Sequence, residues 1–544
     1  MRNLLLLFVA LLCMGAAPSK SLNILWLSVE DMSPWLACYG DETAPTPNID
    51  RLAREGVRYA NAFATTPVCA PARHTIITGM YATSTGAMHM RNGSRSKAGQ
   101  RDNPSAYDNI PLYEAVPPPQ VRCFPEYLRA AGWYATNNAK TDYQFKPPPT
   151  VWDESSGKAH WRDRKEGLPF FAVFNCNFTH ESRGFPDAQK RSDVVKSQDV
   201  KVPPYYPDTP TVRQTLAQTY NNIAAMDDWV GERLAELEKD ALLDSTVVVF
   251  FSDHGVGLPR GKRAMYDSGL RVPLIVRFPD GKGAGTTDER LVSFIDWAPT
   301  TLSLAGIKPP AYMRGVPFLG PFVGAAPKYV FATADRMDAT EDTIRAVTDG
   351  RYKYIRNFKP QIGHLPPLAY RDTLTMMCDI QALRESGKAT EAQWQIVSTS
   401  KPPEEFYDTQ SDPHEVRNLI NAPEHQSRIK ELRAALNQWM AEKNDLGLIQ
   451  PEAKLVKAKL WPPHGLQPTT ATPSATFSPV GEGKATLTIA CETDGASIGY
   501  RREGERAWSV YVKPVVVDAG AEYEVVAHRI GFKPSPVEAV AMRS

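Results

Sequence analysis

Residues 22–31 read Leu-Asn-Ile-Leu-Trp-Leu-Ser-Val-Glu-Asp. From Leu22 to Val29 the run is almost continuously apolar, as in a strand buried on both faces of a parallel sheet, and it stops at two acids, Glu30 and Asp31. The pattern recurs twice. Thr246 to Phe251 is followed by Ser252, Asp253 and His254, and Pro169 to Asn177 by Thr179 and His180. Three buried strands therefore end in polar residues at their carboxyl ends, the side on which open α/β sheets place a ligand crevice.

Helical segments alternate with these strands. In Val212 to Lys239, Leu216, Tyr220, Ile223, Val230, Leu234 and Leu237 line one face, which is packing rather than a cofactor box. A shorter helix is predicted from Ile49 to Glu55, with Asn48 as its cap and Gly56 at its end. The alternation predicts an α/β core over residues 18–325: a doubly wound, mostly parallel sheet with helices on both faces. Residues 326–460 change to shorter strands, such as Tyr352 to Ile355, and a helix near Gln426 to Lys443, the pattern of a smaller α+β subdomain. Residues 461–479 are dense in Pro, Thr and Ser and read as a linker. In 480–544 the short runs Ala485 to Ile489, Ser497 to Tyr500, Trp508 to Val512 and Tyr523 to His528 predict an independent small β-sandwich.

The N-terminus has the three-part form of a secretory signal: Arg2, the apolar stretch Leu4 to Leu12, then Gly15, Ala16 and Ala17 before Pro18. Residues 1–17 are read as the signal, with a secreted or periplasmic product. Cys13 raises a lipid anchor, but bulky Leu12 precedes it where a small residue is expected. No later run has the length of a membrane span. The 62 basic and 61 acidic residues nearly cancel, and no arm concentrates one sign, which excludes a general nucleic-acid binder. The cysteines beyond the signal, Cys38, Cys69, Cys123, Cys176, Cys378 and Cys491, show no C-x-x-C pair and no zinc spacing, so most are expected to be buried free thiols. Context sets Cys69 apart.

Residues 67–79 read P-V-C-A-P-A-R-H-T-I-I-T-G. Cys69, Pro71, Arg73, Thr78 and Gly79 match the C-x-P-x-R…T-G motif of the type I sulfatase family, within the alkaline-phosphatase superfamily, and here the resemblance becomes specific. T-P-N-I-D-R-L-A-R-E-G-V upstream, and F-F-S-D-H-G, G-K-R and Y-D-S-G-L-R-V-P-L-I-V downstream, resemble further family segments in order, as does E-F-Y-D-T-Q-S-D-P-H-E-V-R-N-L later. The resemblance runs from about residue 22 to about residue 450 and implies that a formylglycine-generating maturation enzyme oxidises Cys69 to formylglycine.

A sulfate ester needs a strong nucleophile, charge neutralisation and a proton for the leaving oxygen. An aldehyde hydrate supplies two hydroxyls, one to attack sulfur and one to expel sulfate afterwards. Glu30, Asp31 and Asp253 offer hard oxygen ligands from two strand ends, and His254 stands where the family has Asn or His. Such a carboxylate cage favours Ca²⁺ over Mg²⁺. The resemblance points to Arg73, Lys140 and Lys262 for the remaining sulfate oxygens and to His180 for the leaving-group proton. One position departs from it: Asp142 stands two residues after Lys140, where many sulfatases have a histidine that helps deprotonate the hydrate. The base is left open between Asp142, His74 and His89.

His89 and Arg91, close after the motif, are expected contacts to an acidic or sulfated sugar, whereas Arg95, Lys97 and Arg101 read as a solvated basic loop. V-P-P-Y-Y-P-D-T-P-T-V-R and the S-D-H-G to Y-D-S-G spacing resemble the heparan N-sulfatase (sulfamidase) branch, which makes a sulfated glycosaminoglycan the first substrate expected. The competing readings are a phosphonate or phosphodiester hydrolase of the same superfamily and a non-catalytic secreted glycan-binding protein.

Overall fold

The computed structural model describes residues 22–93, 110–462 and 464–542. The signal expected at 1–17, and Arg95, Lys97 and Arg101, lie outside the described residues.

The run that opened the sequence reading is the strand Asn23–Val29, wholly buried, in the middle of an eight-stranded sheet. Across that sheet the strands run Glu154–Ser155, Tyr134–Asn138, Phe170–Cys176, Asn23–Val29, Thr246–Ser252, Leu274–Arg277, Val57–Phe63 and Thr286–Ser293. All pair in parallel except Leu274–Arg277, which is antiparallel to both neighbours. Alternation along Asn23–Val29 serves two cores. Ile24 and Trp26 face Ile76, Phe124, Leu128 and Trp297 on one side; Leu25, Leu27 and Val29 face Leu216, Ile223, Val230 and Leu234 of the helix Pro210–Lys239 on the other. Each such side chain contributes about 1.5–3 kcal/mol by leaving water, which is why a strand with two apolar faces is committed to the centre.

The short helix begins two residues earlier than expected, at Pro47–Glu55, with Thr46 before it. Asn48 is not its cap. Asp227, on the long helix, accepts from the backbone N–H groups of Asn48 (3.1 Å) and Ile49 (2.8 Å), so the helix start is satisfied from across the core.

Beyond the large sheet, Val330–Ala334, Ile344–Thr348, Tyr352–Asn357 and Glu404–Asp408 form an antiparallel sheet. The helix Gln426–Glu442 covers it through Ile429, Leu432, Leu436 and Trp439. The tail is a pair of small sheets around Leu487, Ile489, Val517, Tyr523 and Val525. Two features differ from the expectation. The strand Ser474–Gly481 occupies the end of the stretch read as a linker. The tail is also docked rather than independent: Ile530 and Trp461 join the main core, and the Arg529 guanidinium donates to the carbonyl of Pro117 at 2.6 Å. The six cysteines are free, but only Cys69, Cys123 and Cys176 are buried; Cys38 and Cys491 are half-buried and Cys378 is exposed.

Candidate active site

Four neighbouring strands of the large sheet end at one place. Past Asn138 come Lys140 and Asp142, past Cys176 comes His180, past Val29 come Glu30 and Asp31, and past Ser252 come Asp253 and His254. Residues more than 200 positions apart in sequence meet because parallel pairing puts all four carboxyl ends on one edge. Cys69 arrives from elsewhere, as the first residue of the helix Cys69–Thr78, where unpaired backbone N–H groups favour negative charge. It is 1% exposed.

Cys69 sits among acids and cations. Cys69 Sγ lies 3.3 Å from His254 Nε2 and 3.9 Å from Asp31 Oδ1. Asp31 Oδ1 is 3.0 Å from His254 Nε2, and Asp253 Oδ1 is 3.6 Å from the same nitrogen. Lys262 Nζ donates to Asp31 Oδ2 at 2.7 Å, as does the backbone N–H of Glu181 at 2.8 Å, and Lys140 pairs with Glu30. Gly257 packs against this group so closely that a Cβ there would come within 2.9 Å of Asp31 Oδ2. Burial alone pushes the Cys69 thiol up, but Lys140 and Lys262 outweigh it and bring it down to about 6.

Ligand atoms of Glu30, Asp31, Cys69 and His180, and of Asp31, Cys69, Asp253 and His254, each converge within 4.8 Å. This is a candidate metal site, and its chemistry fits a hard divalent cation. Three carboxylates, Glu30, Asp31 and Asp253, face three permanent cations, Arg73, Lys140 and Lys262, so the charges of the site offset one another. His254 Nδ1 is 2.9 Å from the carbonyl oxygen of Gly255, which requires the N–H to be on Nδ1 and turns Nε2 inward as a ligand. Burial lowers the His254 pKa, but Asp253 and Asp31 raise it to about 10, so a metal entering here displaces a proton.

His180 has the opposite tautomer. The backbone N–H of Ser182 donates to its Nδ1 at 3.3 Å, leaving the proton on Nε2, which lies 3.5 Å from Lys262 Nζ and 3.8 Å from Glu30. That proton is aimed into the site.

Arg73 is held by two hydrogen bonds. Its Nε donates to Asp253 Oδ2 at 2.9 Å and its Nη1 to Asn175 Oδ1 at 2.8 Å, so the guanidinium is tied to an acid of the candidate metal site. His74 and His89 are not brought to the site as bases. His74 is buried between the Tyr143 carbonyl (2.9 Å) and Thr85 Oγ1 (2.8 Å), and burial lowers its pKa to about 4. His89 is 2% exposed, accepts from the Arg336 N–H at 3.1 Å and lies 3.9 Å from Glu452, so it is no sugar contact either. Asp142 remains at the entrance, 3.6 Å from Lys140 Nζ. Burial alone would raise its carboxyl, but Lys140, Arg91 and Arg73 hold it below its usual range.

Residues missed by the sequence reading complete the surroundings. The carboxylate of Glu181 is fully buried, takes two hydrogen bonds from Arg263 (2.7 and 2.9 Å) and lies 3.9 Å from Lys262. In sequence it is one more acid after His180, and only its burial marks it. Asp338 stands 3.6 Å from Arg91 and 3.7 Å from Arg263. Asp31, Arg91, Asp142, Arg263 and Asp338 all have left-handed backbones, φ between 50° and 73°, a concentration of strain that functional sites hold.

Against known families, residues 22–307 match the sulfatase model and residues 259–361 match that of the N-sulphoglucosamine sulphohydrolase C-terminal region. This chain belongs to the sulfatase family. An ulvan-active sulfatase of Formosa agariphila is 43% identical over 552 residues, 94% of this chain and 90% of that one. The human N-sulphoglucosamine sulphohydrolase is 24% identical, covering 82% of this sulfatase and 95% of its own length. Among solved structures, BT4656 in complex with D-glucosamine-2-N,6-O-disulfate has the same fold, with a TM-score of 0.55 and 19% identity over 80% of this chain and 99% of its own. The sulfatase is thus a sulfuric ester hydrolase on an alkaline-phosphatase-like α/β fold.

Proposed function

We propose that this sulfatase removes sulfate from an acidic sulfated polysaccharide of the ulvan kind, after export and after conversion of Cys69 to formylglycine, with Ca²⁺ held by Glu30, Asp31, Asp253 and His254. The observation that carries the reading is the position of Cys69: first in its helix, buried, and 3.3 Å from the His254 nitrogen that faces the acids. The near full-length likeness to an ulvan-active sulfatase supports the substrate class, and the three-part N-terminus supports export.

The hydrated aldehyde would supply an attacking hydroxyl and a second hydroxyl for expelling sulfate; the cation would supply Lewis-acid polarisation of a sulfate oxygen. Lys140 and Lys262 hold the other sulfate oxygens. Arg73 fixes Asp253, and Glu181 fixes Arg263 beside Lys262. His180 donates its Nε2 proton to the departing sugar oxygen, with Ser182 keeping that tautomer. Asp142 is the candidate base, because His74 and His89 are engaged elsewhere.

Mass spectrometry of the Cys69 peptide from active, natively produced protein tests the chemistry: an aldehyde is expected, and an unmodified thiol would falsify the mechanism. Sulfate release is expected from ulvan oligosaccharides. N-sulfated glucosaminides are the second substrate to assay, on the strength of the C-terminal match over residues 259–361. A clear preference for phosphonate or phosphodiester substrates over every sulfate ester would overturn the assignment.

A further inference from the structure

Cys69, Asp31 and Asp253 are buried, whereas Lys140, Asp142, His180 and Arg91 each reach solvent, so the way in to the nucleophile runs between these four. Three of them have work in the reaction proposed above. Arg91 does not. Its side chain is 35% exposed, and among the described residues it makes no hydrogen bond; the nearest acid, Asp338, is 3.6 Å from its Nε and is shared with Arg263. Burial alone would lower the Arg91 pKa, but Asp142, Asp338 and Cys69 hold it above the ordinary value. Arg91 and Asp338 both hold left-handed backbones, with φ of 60° and 50°, conformations that L residues keep only where the surroundings impose them. The chain thus holds strain at a guanidinium whose one partner among the described residues is the ion pair with Asp338.

Tyr370 is part of the same entrance. Its ring packs edge-on against Phe185 at 5.1 Å, and Phe185 closes the turn Glu181–Gly184 that begins at His180. Its half-buried phenol is within electrostatic reach of Lys262, Glu181 and Arg91. A phenol and a guanidinium that makes no hydrogen bond among the described residues therefore border one opening, with Lys140 and Lys262 below.

The planar fork of a guanidinium matches the two oxygens of a carboxylate or sulfate. The scissile sulfate already has Lys140, Lys262 and the metal site. We propose that Arg91 and Tyr370 form a subsite for a second anionic group of the substrate, a carboxylate or sulfate on the sulfated sugar or its neighbour. This rests on the sulfated-polysaccharide reading given above.

The test uses the mature holoenzyme and three oligosaccharides: the native acidic one, the same with its carboxyl groups reduced to alcohols, and the same without its non-scissile sulfates. For the wild type, kcat/KM is expected to fall roughly 10- to 100-fold on removing the recognised anion, and the arm that falls identifies carboxylate or sulfate. In Arg91→Gln that ratio should collapse towards one, with the loss in KM rather than kcat; Arg91→Lys should keep part of it, and Tyr370→Phe should reduce it. If Arg91→Gln does not fold, the ratios of Arg91→Lys and Tyr370→Phe decide. Equal rates in all three arms for the wild type, or the same ratio in the variants as in the wild type, would overturn the subsite alone. Release of sulfate from none of the three would overturn the substrate reading and the subsite with it.

Discussion

Lys262 is the residue whose removal should cost most for the smallest change in shape. It is 3% exposed, and its Nζ stands 2.7 Å from Asp31, 3.5 Å from His180 and 3.9 Å from Glu181. Lys262→Met keeps most of the volume and removes the charge. Two effects follow, on different links. Asp31 and Glu181 lose a buried counter-charge, and breaking such a pair costs about 3–5 kcal/mol of stability. The transferring sulfate loses a preorganised cation, which is worth about 10²–10³ in rate, or about 3–4 kcal/mol. Arg263 softens the first effect at Glu181 through its two hydrogen bonds, but it makes none to Asp31. Sulfate release from a soluble sulfated oligosaccharide, fitted for kcat and KM separately, reads the second effect; a melting curve on the same preparation reads the first. The rate loss should fall mainly in kcat, because the cation matters most as charge moves to the leaving oxygen. A kcat/KM within about tenfold of the wild type would refute the assigned role.

Asp142→Asn should lower kcat by roughly 100-fold or more if this carboxylate is the base, whereas His74→Gln should act on the melting temperature first; pH–rate profiles of both variants separate the two. Asp296 provides a pH test away from the site. Burial pushes its carboxyl up to about 7 from an ordinary 3.8, against the backbone N–H groups of Ser293 and Val316. A folded value above the unfolded one means stability that is full below about pH 4 and lost as pH rises through about 7, worth about 4 kcal/mol at most. Asp296→Asn should therefore flatten the fall in melting temperature between about pH 4 and pH 7; an unchanged slope would contradict this. Truncation after Trp461 removes Ile530 from the main core and Arg529 from the Pro117 carbonyl, so it should lower the melting temperature of the catalytic unit and not merely detach a module.

Much of this protein is written locally. The run from Leu22 to Val29 has no polar face to offer solvent, so its place inside a parallel sheet and the position of Glu30 and Asp31 at its carboxyl end follow from composition alone. The C-x-P-x-R motif, the acids at two strand ends and the position of His180 are legible for the same reason: short spacings and strand ends are local properties. What only the tertiary structure decided is who meets whom. The strands ending at Lys140, His180, Asp31 and Asp253 are neighbours in the sheet although other elements separate them in the chain. Glu181 and Asp338 carry no signal in the sequence; packing buries both, one against Arg263 and the other between two arginines. His89 reads as a site residue until Arg336 and Glu452 enclose it. Asn48 reads as a cap until Asp227 supplies the acceptor from another helix. In each case a charged or polar side chain takes its role from burial and from its partner, and both are set by segments far away in sequence.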